Sequence, residues 1–219
     1  MSGNEIPDNQ VWYTSSDGNI IDIIAVPEYG VTTAEYGLGS VVISNQYYDK
    51  GIIKTSGPVT QIGQAAFHDK TSLVSITLPR QVAVICGSAF DGCTSLSQID
   101  LKNITSIESQ AFSSCTSLAS VTIPDSVTSI GDGAFHECTS LTSVIIGNSV
   151  TSIGDMAFED CKSLTSVYCK PTTPPTAGSW MFHSTPSGRK IYVPMESVEA
   201  YKAASGWSDH ASYIEGYDF

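Results

Sequence analysis

Thiols, hydroxyls and imidazoles recur at one interval along this 219-residue chain. Cys93, Cys115, Cys138 and Cys161 are spaced 22, 23 and 23 residues apart, and Lys70 stands one interval before Cys93. Regularly spaced thiols could hold a metal, form disulfides or act as nucleophiles. A structural zinc site needs C-x-x-C or paired Cys and His, and neither occurs. Disulfides need Cβ atoms about 3.5–4.5 Å apart, whereas parallel stacked copies lie roughly 4.8 Å apart, so neighbouring copies are poorly placed for bridges. Free Cys is among the most buried residue types, and a reduced, buried thiol ladder is expected. Cys86 replaces a glycine and Cys169 an inward aliphatic.

Ser72, Ser95, Ser117, Ser140 and Ser163 recur in the same way. A nucleophile is needed once, beside a base, and no G-x-S-x-G elbow is present. Hydroxyls satisfying turn backbone groups explain the recurrence. His68 and His136 occupy equivalent places, where other copies carry Asp91, Ser113 and Glu159. His136 and Glu159 on adjacent copies could share a metal, but variability at this position points to a solvated outer edge. Asp132 and Asp155 also fall on adjacent copies, and like charges facing each other belong at an exposed site. No residue is assigned a catalytic, cofactor-binding or metal-binding role, and an enzyme is not expected.

The repetition is architectural. Phe67, Phe90, Phe112, Phe135 and Phe158 are 23, 22, 23 and 23 residues apart, each preceded by alanine. Five residues earlier stand Ile62, Ile85, Ile107, Ile130 and Ile153, and six later Leu73, Leu96, Leu118, Leu141 and Leu164. A unit this short with an L-x-x-[IV]-x-[LI] core buries its apolar residues only by stacking on copies of itself, as leucine-rich repeats do. The expected fold is a right-handed leucine-rich repeat solenoid of short parallel strands with helical or 3-10 turns. Val121-Thr122-Ile123 reads as one strand with Thr122 outward. The S-V-T-S-I segments after prolines such as Pro124 read as a second extended piece on the opposite side. The G-x-x-A-F-x-x-C stretch supplies the turn.

The boundaries read as a β-rich N-terminal cap over 1–58, five full repeats over 59–170, and a degenerate sixth repeat with a short helical cap over 171–219. In the first segment, Val11–Tyr13 and Ile20–Val26 read as strands around a turn at Asp17-Gly18, and Val41–Tyr47 and Gly51–Thr55 as a second pair turning at Asp49-Lys50-Gly51. Gly178 to Phe182 keeps the glycine-to-phenylalanine frame, 24 residues beyond Phe158. Ser197–Ala204 should be helical and closed by Gly206, with Trp207 packing over the last rung. The net charge of −12, with ten Lys plus Arg, excludes the basic stripe that nucleic acid requires and disfavours an anionic membrane surface. No apolar run reaches membrane-spanning length, and Met1 to Gln10 carries no signal peptide. A monomer without cofactor is expected.

The copies VTSIGDGAFHECTSLTSVII and VTSIGDMAFEDCKSLTSVYC closely resemble the BspA-like leucine-rich repeat, also called the Treponema pallidum-type repeat. The resemblance covers Pro58 to Cys169 strongly. It extends to WYTSSDGNI and GIIKTSGPVTQIG before the repeats and KIYVPMESVEAYKAASGW after them, which are similar to Bacteroides members. It implies a cell-surface or secreted protein, with adhesion to host or bacterial protein or glycan as the activity and no shared catalytic residues. The alternative is a structural spacer that displays another domain. For a binding module, the candidate ligand face comprises the outward strand positions Ser75, Thr77, Gln98, Asp100, Ser120, Thr122, Ser143, Ile145, Ser166 and Tyr168. Ile145 and Tyr168 stand out as adjacent apolar residues expected to be exposed, forming a contact patch or packing under the Pro-rich insertion.

Overall fold

A computed structural model of the chain describes residues 10–16, 42–47, 50–54 and 59–219. Among the described residues three strands come first: β1 (Gln10–Ser15), β2 (Val42–Tyr47) and β3 (Lys50–Lys54). β2 and β3 pair antiparallel, as the turn residues imply. The segment Ile20–Val26 and its turn lie outside the described residues, and the described partner of β1 on one side is β3.

From residue 61 the strands alternate between two faces. One face carries two-residue pieces: β4 (Gln61–Ile62), β6 (Val84–Ile85), β8 (Ser106–Ile107), β10 (Ser129–Ile130), β12 (Ser152–Ile153) and β14 (Thr176–Ala177), all parallel and in chain order. The other begins with β5 (Leu73–Thr77) and β7 (Gln98–Ile99), which extend the cap sheet in the order β2-β3-β1-β5-β7. It continues with β9 (Ser120–Ile123), β11 (Ser143–Ile146), β13 (Ser166–Cys169), β15 (Lys190–Pro194) and β16 (Ile214–Tyr217), again parallel and in order. The chain is therefore a leucine-rich repeat solenoid. The ladder breaks between β7 and β9, in the one 22-residue repeat, where Leu101 to Ile104 is one residue shorter than Ile123 to Val127.

Between the faces lies a stack of phenylalanines. Phe67, Phe90, Phe112, Phe135 and Phe158 are fully buried, with centroids 5.2–5.4 Å apart and planes within 8° of parallel. Phe182 joins the stack at 5.6 Å, tilted by 21°, which places the degenerate copy as a sixth rung.

The turn that carries each Phe uses 3-10-type bonds without becoming a helix. In one rung the N–H groups of Ala134, His136 and Cys138 donate to the carbonyls of Gly131, Gly133 and Phe135, closing successive turns. The intervening N–H groups of Gly133, Phe135 and Glu137 donate to Asp155, Ala157 and Glu159 of the next rung. Alternation of this kind needs a left-handed residue on either side of the Phe, here Gly133 (φ 58°) and Glu137 (φ 57°). The equivalent places in the next rung are Met156 and Asp160, at φ 55° and 56°. A left-handed non-glycine residue costs roughly 1–2 kcal/mol, offset here because every amide in the turn is bonded and the Phe is buried. Gly131 meets a different demand: a Cβ there would collide with the backbone of Glu108 and Ser109 in the preceding rung.

The C-terminal cap forms a 3-10 turn at Met195–Ser197, helix α1 (Val198–Ala203) and a second 3-10 turn at Ser208–Tyr213. Trp207 is fully buried and packs edge-on against Phe182 at 6.3 Å, as expected. Gly206 does not close the helix. α1 ends at Ala203 with Ala204 extended, and Gly206 instead takes φ 77° where a Cβ would crowd Ala177. The cap satisfies carbonyls of the Pro-rich insertion: Trp207 Nε1–H donates to Pro175 O at 2.7 Å, Tyr201 O–H to Pro171 O at 2.8 Å, and Ser197 O–H to Thr172 O at 2.8 Å.

Candidate functional site

Alternation along each short strand decides which side chains leave the core. β9 runs exposed, buried, exposed, buried, so Ser120 and Thr122 face out while Val121 and Ile123 pack inside. The parallel register then builds columns. Ser120, Ser143 and Ser166 are direct neighbours, as are Thr122, Ile145 and Tyr168. At the other end Ser75 pairs with Gln98.

The ends of the face differ from expectation. Ser75 is half-buried because β1 pairs antiparallel with β5, and its hydroxyl lies 2.8 Å from that of Thr14. Thr77 stays exposed opposite Trp12, which is itself 42% exposed. Gln98 and Asp100 are exposed, and the Asp100 carboxylate accepts the Lys102 amide at 3.0 Å and pairs with its ammonium at 3.6 Å. Ile145 and Tyr168 are half-buried rather than exposed, as are Ser143 and Ser166. The Pro-rich insertion is held by the cap, with Pro171 O and Pro175 O accepting from Tyr201 and Trp207. Tyr168 stacks on Tyr192 of the next rung at 4.9 Å and meets the edge of Tyr217 at 5.5 Å. Tyr217 also contacts Phe219 at 5.1 Å, so the C-terminal end of the face is an aromatic cluster. Tyr192 follows Tyr168 in the same column, one rung on, whereas Tyr217 comes from the cap strand and no repeat frame singles it out. Beside them Lys190 is paired with Glu215, which raises the lysine pKa.

The laddered thiols are free and buried, and so is Cys169. Each thiol of the ladder donates to a phenylalanine carbonyl: Cys93 to Phe67, Cys115 to Phe90, Cys138 to Phe112 and Cys161 to Phe135, at 3.0–3.2 Å. Burial pushes the thiols of Cys93, Cys161 and Cys169 up to about 12 and raises those of Cys115 and Cys138 well above the ordinary thiol value. An activated nucleophile needs the opposite shift. The recurring serines do not perform the expected task. Among the described residues their hydroxyls bond to nothing, because the turn they occupy is closed by backbone, as where Leu141 N–H donates to Cys138 O at 3.0 Å. Threonines form the hydroxyl ladders instead, with Thr142 donating to Ala119 O and Thr165 to Thr142 O.

Asp132 and Asp155 are exposed and have a role the sequence left unassigned. Asp132 Oδ1 accepts the Asp155 amide at 2.9 Å, and Asp155 Oδ1 accepts the Ser179 amide at 2.6 Å. At the outer edge His136 Nε2 lies 3.7 Å from Glu159 Oε2, and His183 Nδ1 lies 3.0 Å from Glu159 Oε1. His183 completes that column, since it follows Phe182 as His136 follows Phe135.

The profile of the BspA type leucine rich repeat region matches in six copies, over residues 44–165 and 85–204. The chain belongs to the BspA-type leucine-rich repeat family. This BspA-type chain is also similar to a Treponema pallidum leucine-rich repeat protein of known crystal structure, with 30% identity and a TM-score of 0.53 over 75% of this chain and 82% of that one. A leucine-rich cell surface protein of Faecalibacterium prausnitzii is 28% identical over 59% of this chain and 46% of its own, with a TM-score of 0.40. A leucine-rich repeat protein of Bacteroides ovatus is 18% identical over 80% and 70% of the two chains, with a TM-score of 0.34. Comparison with curated proteins found no match. Among the described residues no helix is long and apolar enough to cross a membrane.

Proposed function

We propose that this BspA-type chain is a cell-surface or secreted interaction module that binds an extracellular protein or glycan through the face carried by β5 to β16. The observation that supports this reading most is the division of labour along the strands. The core takes one side chain of each alternating pair, and the other forms a register-locked surface outside the phenylalanine core. From β9 to β16 five strands at about 4.8 Å span roughly 20 Å, enough for an extended segment or several sugar rings. Ser120 and Thr122 supply small hydroxyls, and the Tyr168, Tyr192 and Tyr217 cluster supplies the amphipathic rings typical of contact hot spots. The acidic chain, at −12, disfavours nucleic acid as the ligand. A monomer with modest affinity per copy gains avidity when displayed in many copies.

The test is a screen against extracellular matrix proteins and glycans, repeated with Ser120→Arg and Thr122→Arg. Both positions are exposed, so melting temperature should stay within about 2 °C of the parent, while affinity for any ligand found should fall at least about tenfold. Undiminished binding by both variants would exclude this face. No ligand in a broad screen would favour a spacer that only displays a neighbouring domain.

A further inference from the structure

Two columns of side chains run along the outer edge beside the phenylalanine stack: the residue after each Phe, and the one after that. Because the rungs are parallel and in register, residues in one column have parallel Cβ vectors roughly 4.8 Å apart. On the fourth and fifth rungs these columns create a two-by-two block in which all four residues are metal-ligating types: His136 and Glu137 on one rung, Glu159 and Asp160 on the next. No other pair of adjacent rungs fills all four places. Two other pairs fill three places: His68, Asp69 and Asp91, with the fourth corner taken by Gly92 at φ 73°, and Glu159, Asp160 and His183, with the fourth corner taken by Ser184.

We propose that this block binds one divalent transition-metal ion of the zinc(II) type. Donor atoms of His136, Glu137 and Asp160 all lie within 4.8 Å of one another. Glu159 adjoins this three-residue group through His136, its Oε2 lying 3.7 Å from His136 Nε2. Ligand bonds of about 2.0–2.2 Å to nitrogen and oxygen would draw these donors together by an ångström or so, within reach of side-chain rotation at an edge.

The surroundings fit a metal's outer shell. Each carboxylate has one oxygen engaged by a partner outside the block, and the second oxygen of Glu159 faces His136. Ser114 O–H donates to Glu137 Oε2 at 3.2 Å, His183 Nδ1 meets Glu159 Oε1 at 3.0 Å, and Lys162 Nζ lies 3.5 Å from Asp160 Oδ1. Outer contacts of this kind fix ligand orientation. Glu159 is the anchor, its side chain only 13% exposed, whereas Lys162 is 66% exposed and readily displaced. Three carboxylates against one lysine leave two formal negative charges, which a divalent cation neutralises. One imidazole among carboxylates selects zinc-type ions over magnesium and calcium, which prefer all-oxygen shells. Bound there, the ion would tie the fourth and fifth rungs together at their outer edge.

The experiment titrates chelator-stripped, full-length chain with zinc(II), and in parallel with magnesium(II) and calcium(II), by calorimetry and thermal melting. One zinc per chain is expected, with a raised melting temperature and no response to the other two ions. His136→Ala and Asp160→Asn should each weaken zinc binding by about tenfold or more, while His68→Ala leaves it unchanged. Circular dichroism of each metal-free variant confirms that it is folded. Absence of saturable zinc binding would overturn the proposal. So would parent-like affinity in His136→Ala, or an equal loss in His68→Ala, which would mark scattered binding to surface histidines.

Discussion

Removing one ring from the phenylalanine stack tests how the solenoid is held together. Phe135 is fully buried and has a ring partner on both sides, Phe112 at 5.3 Å and Phe158 at 5.4 Å, with planes within 8° and 2° of its own. Phe135→Ala deletes the transfer free energy of a whole aromatic side chain and leaves a cavity between two rungs. Backbone bonds from Phe135 N–H to Ala157 O and from Phe112 N–H to Ala134 O resist collapse of that gap. A cost of about 3–5 kcal/mol follows, a large share of the 5–15 kcal/mol typical of a domain. The assay is equilibrium urea unfolding followed by far-UV circular dichroism. Because a solenoid is coupled through nearest neighbours, weakening the central interface should also broaden the transition or split it in two. A loss below about 1 kcal/mol with an unchanged slope would show that Phe135 is not a shared core element, and the register would be wrong.

The thiol ladder predicts alkaline sensitivity. Folded-state pKa values lie above the ordinary thiol value of 9.0, so the buried neutral thiols contribute fully below pH 9, and that contribution is lost as pH rises toward about 12. The slope is at most roughly 1.4 kcal/mol per pH unit for each thiol. Cys138→Ala should be less steep than the parent in urea midpoint against pH, and an identical profile would refute the assignment. Acid should act on the C-terminal cap. Arg189 is buried, and its Nη2 lies 2.7 Å from His210 Nδ1; guanidinium can only donate, so that nitrogen must be unprotonated. Burial and Arg189 lower the His210 pKa below 6.5, so stability present above pH 6.5 is lost as pH falls through the folded-state value. His210→Gln keeps an acceptor without titrating and should flatten this limb of the melting profile; an unchanged limb would refute the mechanism.

Much of the fold is legible along the chain. The Phe, Ile and Leu columns identify the buried positions because burial depends on side-chain chemistry and on an interval that one dimension displays. The pairing of β2 with β3 and the sixth rung at Phe182 were readable for the same reason. The left-handed residues flanking each Phe were not. Met156, Glu137 and Trp180 carry no glycine-like signal, and their conformation is imposed by amides that bond across rungs. Alternation told which side of each strand points away from the core, but not that Ser75, Ser143, Ile145, Ser166 and Tyr168 would be half-buried; Tyr168, for one, packs on Tyr192 and Tyr217, which arrive from the next rung and from the cap strand.

By itself the sequence determined the repeat, its family, the stacked core and the free state of the cysteines, since all of these follow from periodicity and residue type. Only the tertiary structure decided which polar groups meet. Cys138 finding the Phe112 carbonyl, Asp132 the Asp155 amide, Arg189 the His210 ring, and His136 a corner shared with Glu159 and Asp160 all require neighbouring rungs at fixed register and spacing. Hydrogen bonds and ligand sets are directional over a few ångströms, whereas hydrophobic burial is not, so the former appear only once the coil has closed.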